Sequence, residues 1–312
     1  MVPTLSDPIV PVIVNPRAAN GGARRYASRI TKTLTRAGFR VSSQVTRGPM
    51  DASRIAREAL SAGRELVLAV GGDGTVNEVV NGLLSGGVAS PPSTALAVAQ
   101  VGTGTDFSRT FGWTSDPEEV LDRLRRNRRL PIDVGRVEYT DLDGRPASRF
   151  FVNIAEFGSG GAVVEKVNRT TKVLGGRMSF LLAILSVMPT YRNQRVRYRI
   201  DGGREQDLVS NNFIVANGRF FGGGLMPAPR AELNDGFLDV IVIGDLDFRT
   251  IRRHLPDLRR GTHLSLDGVT ADRGREIITE TGGRALLDLD GELVGVDPIR
   301  FVCIPRAIHL VV

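Results

Sequence analysis

Along the first 130 positions, short continuous apolar runs alternate with longer stretches in which apolar residues recur every three or four positions. Residues 9–14, 39–45, 66–70 and 95–99 have the length of strands, and each is followed within a few residues by glycine, proline or asparagine. The run 66–70 (LVLAV) is apolar throughout, as expected of a strand covered on both faces of a parallel sheet. Residues 23–37 and 51–62 read as helices stopped by Gly38 and Gly63. Val76, Val79, Val80, Leu83 and Leu84 recur at i, i+3, i+4, i+7 and i+8, one buried helix face. This alternation predicts a parallel sheet with helices on both faces.

From about residue 135 the period shortens to two. Residues 195–200 (RVRYRI) place arginine on one face and apolar side chains on the other. Residues 211–216, 237–243, 285–289 and 299–304 also read as strands, and the turn pairs Asp201-Gly202, Asp235-Gly236 and Asp290-Gly291 separate them. Helices are predicted over 161–188 and 248–260. The chain is therefore expected to be α/β over residues 1–134, followed by a mostly antiparallel, sandwich-like β-rich domain over 135–304.

The length of 312 residues suits two domains, each with its own core. Lys and Arg number 41 against 34 Asp and Glu, a net charge of +7, which favours anionic partners such as nucleotide phosphates or acidic lipid surfaces. Aromatic residues are only 6% and are not interleaved with the basic ones, which argues against nucleic acid. The single Cys303 excludes a disulfide framework, and His254, His263 and His309 sit in no metal-ligand spacing. The N-terminal residues lack the basic and apolar regions of a signal peptide. The longest apolar run, 180–189, is about half the ~20 residues a membrane helix needs. A cytoplasmic protein with at most peripheral membrane contact is expected. The arginine clusters at 123–129, 252–253 and 259–260 read as solvated helix faces; against an anionic bilayer each charge would add ~1 kcal/mol of attraction.

The sharpest chemical signal is Gly71-Gly72-Asp73-Gly74-Thr75-Val76-Asn77-Glu78, which ends a buried strand and opens a helix. Backbone N–H groups in such a loop, with the partial positive charge of the helix N-terminus, form a phosphate cradle that glycine leaves open to close approach. Asp73 would be repelled by bare phosphate and so fits a role through Mg²⁺. No Gly-Lys pair exists, so a Walker A loop is absent. Asp290-Gly291-Glu292, taken alone, is equally a hairpin turn or a carboxylate pair able to accept a hydroxyl proton.

Gly71 to Glu78 resembles the GGDGTxNEV signature of the diacylglycerol kinase catalytic-domain family, which includes bacterial lipid kinases and sphingosine kinases. Further segments extend the resemblance along nearly the whole chain. Asn15-Pro16 with Gly21-Gly22 is similar to the family's first nucleotide loop, and residues 102–109 (GTGTDFSR) to its GTxNDFAR segment. Asp133-Val134-Gly135 is similar to its acidic turn, residues 234–239 (NDGFLD) to its DGxLD segment, and Asp290-Gly291-Glu292 to its DGE motif. Thr105 stands where the family has asparagine, Val101 where proline is frequent, and residues 15–20 lack the usual serine.

The resemblance implies a Rossmann-like nucleotide domain of the NAD kinase and diacylglycerol kinase type, joined by the last strand, 305–312. It implies an ATP-dependent lipid kinase acting on a hydroxyl of diacylglycerol or a related lipid. ATP would be held by Gly71, Gly72, Asp73, Gly74, Thr75, Val76, Asn77 and Glu78 with Asn15, Pro16, Arg17, Ala18, Ala19, Thr46 and Thr103. An acid of the DGE motif would accept the proton, Glu292 with Asp290 beside it. Asp73, Asp106, Asp133 and Asp290 would form an acidic network associated with Mg²⁺. A second Mg²⁺ would bind main-chain oxygens of Glu232 and Phe237 and the Asp235 carboxylate. A homodimer is one arrangement it allows. Two other readings stay open at this point: an NAD-kinase-like transferase with a soluble acceptor, and a non-catalytic nucleotide- or lipid-binding protein.

Overall fold

A computed structural model describes residues 9–87, 92–102, 104–169, 176–282 and 284–312. The chain divides into two units, Met1–Asp133 with Pro305–Val312, and Val134–Ile304.

The first unit is built on parallel strands β1 (Ile9–Val14), β2 (Arg40–Val45), β3 (Leu66–Gly71) and β4 (Ala95–Gln100), in the order β2-β1-β3-β4. The end of the last strand, β15 (Glu292–Val311), adds to this sheet in parallel, with Leu310 opposite Leu96. Every residue of β3 and β4 is buried, which is why both read as unbroken apolar runs. Helices α1 (Gly22–Arg36), α2 (Asp51–Ser61) and α3 (Asp73–Leu83) follow the first three strands. On α1 the buried residues Ala23, Tyr26, Ala27, Ile30 and Leu34 form one stripe against Val10, Val12, Leu68 and Val70. On α3, a Cβ at Gly82 would strike the carbonyl oxygen of Ser53, so this glycine lets α2 and α3 pack at backbone distance. Two short helices, α4 (Asp106–Thr110) and α5 (Pro117–Arg126), were not evident from periodicity. Asp116 caps α5 by accepting the N–H of Glu118, with Pro117 at the first helical position.

The second unit is antiparallel. It contains most of β5 (Arg129–Asp141), then β6 (Pro146–Phe151), β7 (Ile154–Gly158), β8 (Gln194–Ile200), β9 (Gln206–Ser210), β10 (Asn212–Ala216), β11 (Leu238–Ile243), β12 (Val269–Gly274), β13 (Glu276–Thr281), β14 (Leu286–Leu289) and β15 up to Ile304. One path of neighbours runs β12-β11-β10-β7-β14-β15. Phe151, Phe157, Phe213 and Phe301 pack with Ala155, Leu287 and Leu289 in its main core. The expected helix over 161–188 is two helices, α6 (Ser159–Arg169) and α7 (Gly176–Val187), with 170–175 outside the described residues. Helix α8 (Phe248–Arg260) lies where expected. Strands β6, β9, β12 and β13 escaped the sequence pattern because polar residues face outward along them. The arginine face of β8 explains part of this: Arg195, Arg197 and Arg199 pair with Asp207, Glu280 and Glu205. Among the described residues no helix is long and apolar enough to cross a membrane.

Candidate active site

Strand β3 delivers the glycine loop, and Gly72 turns in extended conformation into α3. A Cβ at Gly71 would strike the Thr75 side chain, and one at Gly72 would lie 3.1 Å from the Gly104 carbonyl oxygen. The loop therefore needs glycine for its own packing as well as for any ligand. Asp73 donates its N–H to Gly104 O at 3.1 Å. Its carboxylate takes three donors: Oδ1 accepts from Gln100 Nε2 (2.7 Å) and Phe107 N (3.0 Å), and Oδ2 from Asp106 N (3.1 Å). Gln100 then accepts the Ser108 N–H at 2.7 Å. Asp73 and Asp106 are thus brought together at the start of α4, where Arg109 approaches Asp106 at 3.5 Å. Gln100, Gly102, Thr105, Ser108, Arg109 and Trp113 line a pocket of about 410 Å³ beside them.

The first loop meets this site through side chain and backbone. Asn15 donates Nδ2 to Thr75 Oγ1 at 3.1 Å and accepts the Arg17 N–H at 3.0 Å. Pro16 is half-buried, Arg17 exposed, and Ala18 and Ala19 lie in a short 3-10 turn. Gly102, at φ +104°, allows the Ala19 backbone to pass; a Cβ there would be 3.1 Å from Ala19 N. Thr46 is half-buried after β2 and donates its N–H to Val14 O. Gly74 is half-buried, whereas Val76 and Asn77 are buried within α3. Glu78 accepts the N–H of Ala52, capping α2. Asp133 is fully buried and accepts the Arg306 N–H at 2.7 Å, tying β5 to the last strand. Thr103 lies outside the described residues.

In the second unit, Asp290 and Gly291 form the two-residue hairpin between β14 and β15, with φ of +50° and +88°. The turn and the carboxylate pair are therefore the same object. The Asp290 carboxylate accepts three backbone N–H groups, from Val152 (2.9 Å), Asn153 (3.0 Å) and Ile154 (2.8 Å). Glu292 begins β15, 38% exposed in its side chain, with Oε2 2.7 Å from Arg149 Nη2. Gln100 and Arg149 were missed by sequence reasoning: neither lies in a motif, although a glutamine closing an apolar strand is a weak signal.

Around the other predicted metal position, Asp235 Oδ1 accepts the Phe237 N–H at 3.0 Å and Oδ2 pairs with Arg273 at 3.2 Å. Glu232 is exposed. Burial, then the nearby Asp235 charge, push the Asp239 carboxyl up to about 6, against the opposing pull of Arg273 and Arg230. Among the described residues no group of three or more His, Cys, Asp or Glu side chains could hold a metal ion, so any cation would depend on main-chain oxygens, water or a ligand's phosphates.

Two family models match the chain, one over its first part and one over the rest, including the last strand that returns to the first unit. The diacylglycerol kinase catalytic domain matches residues 10–137, and the YegS C-terminal NAD kinase beta sandwich-like domain matches residues 153–312. A diacylglycerol kinase of Bacillus subtilis is 29% identical over 96% of this chain and 95% of its own length. A protein of Chromohalobacter salexigens described as a probable lipid kinase, YegS-like, is 30% identical over 88% of this chain and 84% of its own. The chain belongs to the family of diacylglycerol kinases and YegS-like lipid kinases. A diacylglycerol kinase structure from Bacillus anthracis shares this lipid kinase's fold, with a TM-score of 0.70 at 21% identity over 97% of this chain and 96% of that one. The expected α/β fold with a sandwich-like second part is borne out, as is the kinase assignment. In this lipid kinase the glycine loop and the DGE hairpin are both formed, each braced by side chains outside the family motifs.

Proposed function

We propose that the chain transfers the γ-phosphoryl group of ATP to a hydroxyl of diacylglycerol or a closely related lipid, with Glu292 as proton acceptor. The observation that carries this reading is the division of labour in the hairpin. Asp290 spends its oxygens on three backbone N–H groups and serves as an anchor, not as base or metal ligand. Glu292, next but one along the chain, is partly exposed and oriented by Arg149. A carboxylate held in this way can take the proton of an attacking hydroxyl. The glycine loop with Asn15, the 17–19 backbone and Thr46 would bind the nucleotide. Mg²⁺ would neutralise charge on the transferring phosphate oxygens. Asp73 and Asp106 suit it through water, since three donors already occupy Asp73. Asp235 with the main-chain oxygens of Glu232 and Phe237 would hold a second Mg²⁺. Asp133 would act indirectly, through its hold on Arg306.

The lipid acceptor implies contact with a bilayer, and two helices suit an anionic one. Helix α1 carries Arg24, Arg25, Arg29, Lys32 and Arg36, all exposed, and no acidic residue. Helix α8 exposes Arg249, Arg252, Arg253, Arg259 and Arg260 beside half-buried Phe248, Ile251, Leu255 and Leu258. The deciding experiment is transfer of label from γ-labelled ATP to a panel of lipids in mixed micelles with Mg²⁺. Label in one lipid, lost in Glu292→Gln and Asp73→Ala, supports the reading. Label in no lipid, or label that persists in Glu292→Gln, overturns it.

A further inference from the structure

Two carboxyl groups sit where the sandwich should be apolar. Glu156 on β7 and Asp288 on β14 are directly opposite each other in the antiparallel register. They are 0% and 4% exposed, and both strands otherwise bury alanine, isoleucine, leucine and phenylalanine. Their neighbours Ala155, Phe157, Leu287 and Leu289 point into the main core, so the two acids share the opposite face. Neither makes an ion pair among the described residues. Asn212 Nδ2 donates to Glu156 Oε2 at 2.6 Å, and the Gly291 N–H donates to the Asp288 carboxylate. That leaves Glu156 Oε1 and Asp288 Oδ1, both sealed from solvent and both without a donor.

Two facing carboxylates in such a place are strongly unfavourable, because each is desolvated and each repels the other. One proton between them removes a charge and gives both orphan oxygens a hydrogen bond. Burial, and for Asp288 next the charge of Glu156, raise both groups well above the ordinary carboxyl range. The further charges acting on Asp288 are Asp290 and Glu292, the latter paired with Arg149; α6, packed on β7 and β14, carries Glu165 and Lys166, and β15, beside β14, carries Asp297, Arg300, Arg306 and His309. The chain also protects the pair sterically: a Cβ at Gly160, in the first turn of α6, would strike the Glu156 carboxylate.

We propose that Glu156 and Asp288 share a single proton, between Glu156 Oε1 and Asp288 Oδ1, and that this pair positions the Asp290-Gly291-Glu292 hairpin. Asp288 transmits the constraint directly, since it holds the Gly291 N–H between the anchor Asp290 and the base Glu292. The pair touches no substrate; it keeps Glu292 in register by preventing a second buried charge from forcing the hairpin apart. Its catalytic consequence rests on the lipid kinase reading above, whereas the shared proton does not.

Infrared difference spectroscopy of the full chain tests the proton. The wild type is expected to show a protonated-carboxyl C=O band at neutral pH that fades on alkaline titration and is absent in both Glu156→Gln and Asp288→Asn. No band at neutral pH, or a band that survives in both variants, overturns the proposal whether or not the chain phosphorylates a lipid. Kinetics test the positioning. Glu156→Ala should lower kcat by ~10-fold or more with KM for ATP little changed, while Glu156→Gln, which still hands Asp288 a hydrogen, recovers most of that loss. It should also abolish the fall in rate on the alkaline side. Folded Glu156→Ala protein with wild-type kcat and an unchanged pH profile would refute positioning; should Ala not fold, an unaltered alkaline limb in Glu156→Gln does so.

Discussion

Gln100 Nε2 lies 2.7 Å from Asp73 Oδ1, and the same side chain accepts the Ser108 N–H through Oε1. One buried amide therefore links the glycine loop to α4, with each end matched to a partner of opposite sense. Gln100→Leu removes both bonds and strands the buried Ser108 N–H. It should cost about 1–3 kcal/mol of stability in urea unfolding and weaken nucleotide binding in calorimetry. Gln100→Glu should behave worse, because it sets a second carboxylate against Asp73.

Asp290 and Glu292 should fail in different ways. Asp290→Ala leaves three N–H groups, of Val152, Asn153 and Ile154, without their acceptor and should lower stability by at least ~3 kcal/mol. Glu292→Gln keeps the hairpin, should unfold within ~1 kcal/mol of wild type, and should lose about 100-fold or more in phosphoryl transfer. Parallel melting and transfer assays check this; a stable, inactive Asp290→Asn beside an active Glu292→Gln would reverse the assignment.

Stability should decline as pH rises from 4.5 to about 7 and level off above that. Burial pushes the Glu156 carboxyl from its ordinary 4.5 up to about 7. Below 4.5 folded and unfolded chains are both protonated there and the contribution is full; it is lost as pH climbs from 4.5 through about 7. Denaturant midpoints measured across that range should show the slope in wild type and a flatter line in Glu156→Gln.

Gly160→Ala places a methyl group against the Glu156 carboxylate at the start of α6. Overpacking of this kind typically costs 1–3 kcal/mol, by about the measure of other crowded cores. Hydrogen exchange should report the loss first in α6 and β7.

If α8 contacts an anionic surface, binding to vesicles containing phosphatidylglycerol should fall steeply between low and physiological salt. The double variant Arg252→Glu, Arg253→Glu should bind such vesicles several-fold more weakly and leave transfer to a lipid in neutral micelles largely intact. Unchanged sedimentation with anionic vesicles would count against this face.

Much of the first unit was legible from the chain because its causes are local. A strand buried on both sides has to be apolar at every position, as Leu66 to Val70 are, and the loop that follows has no room for a Cβ at Gly71, which would strike Thr75. The motif segments were readable for the same reason: phosphate chemistry demands particular residue types at short spacing. What the tertiary structure alone decided involves partners far apart in sequence. That Asp290 collects the N–H groups of Val152, Asn153 and Ile154, and that Glu292 pairs with Arg149, could not be read from the chain. Glu156 and Asp288 lie far apart in the chain, in no motif, and only antiparallel register sets them face to face. Sequence by itself determined the period of most strands and helices and the chemistry available; long-range pairing decided which carboxylate collects backbone N–H groups, which stays partly exposed beside an arginine, and which two face each other under cover.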